Sequence, residues 1–147
     1  MARRVFFSFH YGRDIWRVNQ VRQSWVTKDR ETAGFWDASL WEEARKKGDA
    51  AIKKMIDDAL RNTSVTVVLI GAETAHRTYV RYEITKSYEK GNGLFGVYIH
   101  NLKDPGGKKD IKGSNPFNFV DSYGENGNRV ILSSLFPTYD WVNDNGY

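Results

Sequence analysis

The sequence predicts an α/β fold built on a mostly parallel sheet, and three observations point there. Four segments are apolar almost without interruption, as strands covered on both faces are. Helical periodicities fall between the strand candidates, in the order β-α-β-α-β-α-β, then a loop, then a last strand. The 147 residues fit one domain, read here as 1–147. A chain of that length buries roughly 68–70% of its unfolded surface, enough for a core without staples.

The elements follow in order. Residues 3–9 (RVFFSFH) are an apolar run with one small polar residue, the first strand. Residues 14–28 bring Ile15, Val18, Val21, Trp25 and Val26 near one face, a helix. Gly34-Phe35-Trp36-Asp37 is a short strand candidate. Ser39-Leu40-Trp41-Glu42 has the spacing of a capping box, which starts a short helix. Asp49 is placed to cap a helix over 50–61, with Ile52, Ile56, Ala59 and Leu60 inward. Residues 64–71 (SVTVVLIG) are β-branched and close on glycine. Residues 79–90 form a helix with Val80, Ile84, Ser87 and Tyr88 inward, stopped by Gly91. Residues 94–100 (LFGVYIH) and 129–136 (RVILSSLF) complete the strands. Between those two, residues 101–128 show little periodicity; so long a loop in a compact domain is functional or disordered.

Composition removes several classes. Cysteine is absent, which excludes disulfide scaffolds, thiolate metal sites and cysteine nucleophiles. No apolar run approaches the length of a membrane span. The opening Met1-Ala2-Arg3-Arg4 and Val5-Phe6-Phe7 breaks at Ser8 and His10, too early for a signal peptide. A cytoplasmic protein with no membrane contact is expected. Net charge is +4. It concentrates in residues 1–30, where seven basic and two acidic groups leave +5. That excess suits a phosphorylated ligand or a solvated helix face. No run of like charge exceeds three residues, which argues against nucleic acid.

In an open parallel sheet, ligands sit beyond the carboxyl ends of the strands. That rule selects Ser8-Phe9-His10-Tyr11, Asp37-Ala38-Ser39, Gly71-Ala72-Glu73-Thr74 and His100-Asn101. Gly91-Asn92-Gly93-Leu94-Phe95-Gly96 has G-x-G-x-x-G spacing, but after a helix and before a strand, the reverse of a dinucleotide fingerprint. It reads as a helix stop. His10, His76 and His100 lack metal-ligand spacing, so no metal or resident cofactor is expected. No nucleophile elbow supports a serine triad. The first strand ends without the carboxylates of a phosphoacceptor. Two acids remain: Asp37 at a strand end, and Glu83 one turn into the helix after the third strand, near Tyr79 and Tyr82.

At these residues the chain resembles a known family. Val5-Phe6-Phe7-Ser8-Phe9-His10-Tyr11, Phe35-Trp36-Asp37-Ala38-Ser39-Leu40-Trp41-Glu42, and 62–71 (NTSVTVVLIG) are similar to the bacterial TIR-like domains of Thoeris antiphage systems. Val80-Arg81-Tyr82-Glu83-Ile84 and Tyr139-Asp140-Trp141-Val142 continue the likeness over nearly the whole chain. The resemblance implies a flavodoxin-like TIR fold, a five-stranded mostly parallel sheet with helices on both faces. It implies an NAD glycohydrolase or ADP-ribosyl cyclase, a hydrolase-type enzyme with NAD as substrate rather than cofactor. Its product would be a cyclic ADP-ribose isomer or an ADP-ribose conjugate that activates a separate effector. A phage-derived trigger and a homo-oligomer belong to the same picture. Relatives with the Tyr-Asp-Trp-Val ending usually continue into another helix, an expected further layer of packing.

By that resemblance Glu83 is the catalytic carboxylate, and Ser8, Phe9, His10 and Tyr11 form the first-strand loop of the site. Chemistry then suggests substrate-binding roles elsewhere. Asp37 and Ser39 would position a ribose or the attacking adenine nitrogen, Tyr11, Trp36 or Trp41 would stack on a heterocycle, and Arg13 or Arg17 would meet a diphosphate. The competing class is a TIR-like interaction or nucleotide-binding module without turnover.

Overall fold

The computed structural model describes residues 5–10, 14–26, 32–33, 44–61, 63–123, 127 and 129–143. The strands are β1 (Val5–Ser8), β2 (Thr32–Ala33), β3 (Val65–Ile70), β4 (Gly93–Tyr98), β5 (Asp121–Tyr123), β6 (Arg129–Ile131) and β7 (Thr138–Asp140). The helices described in full are α1 (Ile15–Val26), α2 (Asp49–Leu60) and α3 (Thr78–Lys90). Single 3-10 turns lie at Thr74–His76, Pro116–Phe119 and Leu132–Ser134. Five strands make one parallel sheet in the order β2-β1-β3-β4-β7, while β5 and β6 pair antiparallel. The α/β architecture expected from the sequence is therefore present.

Side-chain alternation explains why the strands carry no polar face. Val5 and Phe7 of β1, Val67 and Leu69 of β3, and Val97 of β4 meet Val18 and Val21 of α1. The alternate residues point the other way. Phe6 packs on Ile52, Ile56 and Leu60 of α2. Val68, Ile70, Leu94 and Tyr98 pack on Val80 and Ile84 of α3. Both faces are dry, so apolar residues at consecutive positions are what the sheet requires.

The glycine-rich segment is a helix stop, as its context predicts. Gly91 has φ 89°, a left-handed conformation that glycine adopts without strain. Its N–H reaches Tyr88 O at 3.1 Å and that of Asn92 reaches Ser87 O at 3.0 Å, the two bonds of a Schellman ending. Gly93 then opens β4 beside Val65.

Two expectations are corrected. Residues 129–136 do not form the last strand of the main sheet. Only Arg129–Ile131 is extended, and it pairs with β5. Ser134 Oγ donates to Ile131 O at 2.7 Å, a local bond that competes with strand pairing and closes a turn. The fifth strand of the sheet is Thr138–Asp140, paired with Gly96–Tyr98 of β4. Asp49 is not the cap of α2. The helix begins at Asp49 after Gly48, and the carboxylate faces α3, accepting from Tyr79 Oη at 2.7 Å. The strand candidate at 34–37 lies outside the described residues, and β2 is seen just before it.

The stretch from 101 to 123 is more ordered than its composition suggests. Arg17, nearly buried on α1, donates to Leu102 O at 2.8 Å and Lys108 O at 3.0 Å. Its Nη1 also lies 3.8 Å from the Asp110 carboxylate. Asp110 N donates to His100 O at 2.8 Å. Gly113 then passes against the Gly71 and Ala72 carbonyls, too close for any Cβ. Phe117 is fully buried under α3. The loop is thus strapped across the carboxyl edge of the sheet. Among the described residues, no helix is long and apolar enough to cross a membrane.

Candidate active site

The site begins with the phase of β1. Phe6 and Ser8 share the face that looks toward α2 and α3, and Ser8 is the last residue of the strand. From the other side, α3 turns Val80, Glu83, Ile84 and Ser87 inward. That is the spacing of a core-facing helix stripe, with a carboxyl group where a hydrophobe would serve the core better. The two residues meet: Ser8 Oγ donates to Glu83 Oε1 at 2.8 Å across 75 positions of sequence.

Glu83 is 5% exposed and Ser8 fully buried. Among the described residues no cation pairs with the carboxyl group. Burial pushes its pKa up to about 8, and the Ser8 hydrogen bond pulls weakly the other way. At neutral pH Glu83 is therefore mainly a neutral acid, because ionisation in a dry environment lacks a compensating charge.

A polar seam fixes the helix that carries it. Ser87 Oγ donates to Glu83 O at 2.7 Å and lies 2.7 Å from Thr66 Oγ1 on β3. Asn92 Nδ2 donates to Thr66 Oγ1 at 3.2 Å and to Thr63 Oγ1 at 3.0 Å. Toward α2, Tyr79 Oη donates to Asp49 and Tyr82 Oη donates to Asp57 at 2.8 Å. Burial and the Asp57 carboxylate hold the Tyr82 phenol near 12. Glu83 is thus pinned along and across its helix.

Beyond β1, half-buried His10 carries its backbone carbonyl toward Asp14 N, 3.3 Å away. Burial lowers its pKa first and the Arg77 charge second, against Asp14 and Glu73. Beyond β3, Gly71 N donates to Thr74 Oγ1 at 2.8 Å, and that hydroxyl donates to buried Asp14 Oδ2 at 3.4 Å. This contact ties the β3 loop to the start of α1.

Of the residues selected from sequence, the structure brings Ser8 onto Glu83 and places His10 at the same edge. Phe9 goes elsewhere: strand alternation turns it to the opposite face, among the α1 core residues. Arg17 is committed to the 102–110 loop rather than to a diphosphate. Tyr11, Asp37, Ser39 and Trp41 lie outside the described residues, as do Arg13 and Trp36. His100 and Asn101 close on Asp140 at the far side of the sheet. Thr74 belongs to a selected strand end, but Ser87 and Asp14 were not selected as site residues, since a lone polar residue on a helix carries no signal until its partner is known. Among the described residues, no three His, Asp or Glu side chains converge as metal ligands would.

Comparison with known proteins gives the family. Residues 6–104 match the model of the Thoeris protein ThsB, TIR-like domain. A Bacillus cereus (strain MSX-D12) protein with the name "Putative cyclic ADP-D-ribose synthase ThsB1" is 43% identical over 184 aligned positions. The alignment covers 100% of this chain and 96% of that relative. A parallel sheet with this strand order, a buried glutamate behind its carboxyl edge and a family match over most of its length agree: the chain belongs to the ThsB family of Thoeris TIR-like proteins.

Proposed function

We propose that this protein cleaves NAD at the nicotinamide–ribose bond, with Glu83 as the catalytic carboxylate, and turns the ADP-ribosyl group into a cyclic ADP-ribose-type signal. The observation that carries this reading is the buried Glu83 carboxyl, without a compensating cation among the described residues and held by Ser8 at the carboxyl edge of a parallel sheet. A folded protein gains nothing in stability from such a group; sites that use a carboxylate often contain one. The relative's synthase name supports the same reading.

The chemistry follows from charge. NAD carries a positive pyridinium ring. A cation brought beside Glu83 favours the ionised carboxyl, so the substrate itself draws the proton off its catalyst. When the C1′–N bond breaks, the bonding electrons leave with the nicotinamide nitrogen. Positive charge moves onto the ribose C1′ and ring oxygen, as in glycoside hydrolysis. An ionised Glu83 in a dry site stabilises that charge strongly. Nicotinamide departs neutral and needs no general acid, which fits a site with one indispensable carboxyl. An adenine nitrogen of the same molecule, or water, then donates a lone pair to C1′. Cyclisation requires water to be kept out meanwhile.

In this reading the signal acts on a separate effector in the cytoplasm, and a phage-derived trigger releases an otherwise quiet enzyme. The test is mass spectrometry of small molecules from cells expressing the protein, with and without phage, beside the Glu83→Gln variant. An ADP-ribose-derived species should appear only with infection and only with Glu83. Unchanged NAD and no such species under infection would leave a TIR-like scaffold instead.

A further inference from the structure

A serine or threonine hydroxyl commonly settles on a nearby backbone carbonyl. Thr63 Oγ1 donates to Leu60 O, Thr85 Oγ1 to Arg81 O and Ser134 Oγ to Ile131 O. Ser8 departs from that pattern. It is fully buried, and its hydroxyl is committed to a carboxyl group 75 positions away.

The helix α3 meets the sheet through hydroxyls at two levels. Ser87 Oγ lies 2.7 Å from Thr66 Oγ1, and Thr66 stands beside Phe6 in the register, two residues below Ser8. Ser87 gives its one hydroxyl proton to Glu83 O, so Thr66 supplies the proton between the two hydroxyls. From Glu83 to Ser87 the helix rises about 6 Å, and two residues of strand cover about 6.6 Å. The lower contact therefore fixes the Glu83 backbone at the height where the upper one reaches its carboxyl group.

The two carboxyl oxygens are not equivalent. Oε1 accepts from Ser8 Oγ at 2.8 Å. Oε2 has no hydrogen-bond partner among the described residues, yet it is not one of the buried side-chain atoms left without a partner. Oε2 therefore borders the surface, and the 5% of Glu83 that stays exposed includes it.

We propose that Ser8 is a positioning residue for the reaction: by holding Oε1 it keeps the acid's proton on Oε2 and aims Oε2 at the substrate ribose.

In a neutral carboxyl group, the oxygen that accepts from a hydroxyl is the carbonyl oxygen, and the proton sits on the other. That proton is on Oε2, from which it passes to solvent as the substrate cation arrives. Ionisation then turns Oε2 from a hydroxyl into the anionic oxygen that faces C1′, while Ser8 keeps its hold on Oε1. The carboxyl group has no need to rotate, so its charge is preorganised where positive charge develops. A hydroxyl binds a carboxylate more strongly than a neutral acid, so Ser8 also eases the ionisation that burial opposes. The reverse arrangement, with a protonated Oε1 donating to Ser8, would have the opposite sign.

This inference rests on the NAD reading of Glu83, so its first readout needs no turnover. The carbon-13 resonance of the Glu83 side-chain carboxyl is titrated in wild type, Ser8→Ala and Ser8→Thr. Circular dichroism and thermal melts establish that each variant is folded. Wild type should titrate at about 8. Ser8→Ala should titrate about one unit higher, the scale on which one hydroxyl prefers a charged acceptor to a neutral one. Ser8→Thr keeps a hydroxyl in a strand, where β-branched residues fit, and should restore the wild-type midpoint. In the activated enzyme, Ser8→Ala should lose about tenfold in kcat/KM for NAD at pH 7 and less above pH 9, its profile displaced by the same unit. A merely structural serine would leave both midpoints in place. An unchanged or lowered carboxyl midpoint in folded Ser8→Ala would overturn the proposal while leaving Glu83 as the acid that cleaves NAD. Absence of NAD cleavage by the wild type under infection would overturn the catalytic reading itself, whatever the carboxyl titration shows.

Discussion

Two acids mark opposite sides of the carboxyl edge, and the protein treats them differently. Asp140, at the end of β7, is surrounded by donors. Asn101 Nδ2 lies 2.9 Å from Oδ2, and the N–H groups of Val142 and Asn143 lie 3.0 Å from Oδ1. His100 Nε2 stands 4.0 Å away, its pKa lowered by burial. Among the described residues Glu83 has one side-chain donor, the Ser8 hydroxyl, and it is more deeply buried. Asp140 is therefore a structural acid. It closes the turn after β7 and ties that turn to the loop after β4. Glu83 is an acid that burial holds mainly neutral at pH 7. Under the proposed function, the number of donors around each carboxyl, rather than its position at a strand end, separates scaffold from chemistry.

That contrast can be broken most sharply through stability. The folded-state pKa of Glu83 is about 8, above the model value of 4.5. Between those values the folded state binds more protons than the unfolded one, so stability falls as pH rises. The slope is roughly 1 kcal/mol for each pH unit. The stabilising effect of the raised pKa is complete below the unfolded value and gone above the folded one. Glu83→Gln removes this term. Denaturant melts should show the variant gaining on wild type from pH 5 to 8, by a few kcal/mol in all on the scale of that slope. A constant difference across the range would mean that Glu83 ionises normally.

Asp140→Ala should behave in the opposite way. It leaves a side-chain amide and two backbone N–H groups to find other partners, at a cost of about 1–3 kcal/mol. NAD cleavage per folded molecule should stay within about twofold of wild type, since the group touches nothing at Glu83. A much larger loss of cleavage in folded Asp140→Ala would erase the distinction between the two acids.

Much of this was legible in the sequence. The runs at 5–8 and 65–70 could only be strands covered on both faces, and Gly91 stopped α3 where its αL geometry permits. Glu83 was visible as an acid in a helix beyond the third strand, given weight by family resemblance. Its burial was not legible. On α3 the tyrosines at 79 and 82 and the acid at 83 make a mixed stripe, and only the phase of β1 shows which one meets Ser8. The same phase sent Phe9 away from the site, which no reading of strand ends distinguishes. The final strand was misplaced because 129–136 is the more apolar segment. Thr138–Asp140 is selected instead by pairing with β4, a long-range contact without a local pattern. Arg17 looked like a ligand residue because its partners are backbone carbonyls of a loop 85 and more residues away.

The most direct test is the pH profile of kcat/KM for NAD cleavage by the activated protein, wild type beside Glu83→Gln. Cleavage by an ionised Glu83 in the free enzyme predicts a rise of about tenfold per unit below pH 8 and a plateau above it. The profile should vanish with the Gln variant. A rate level from pH 6 to 9, or a Glu83→Gln protein that cleaves NAD as fast as wild type, would contradict the account.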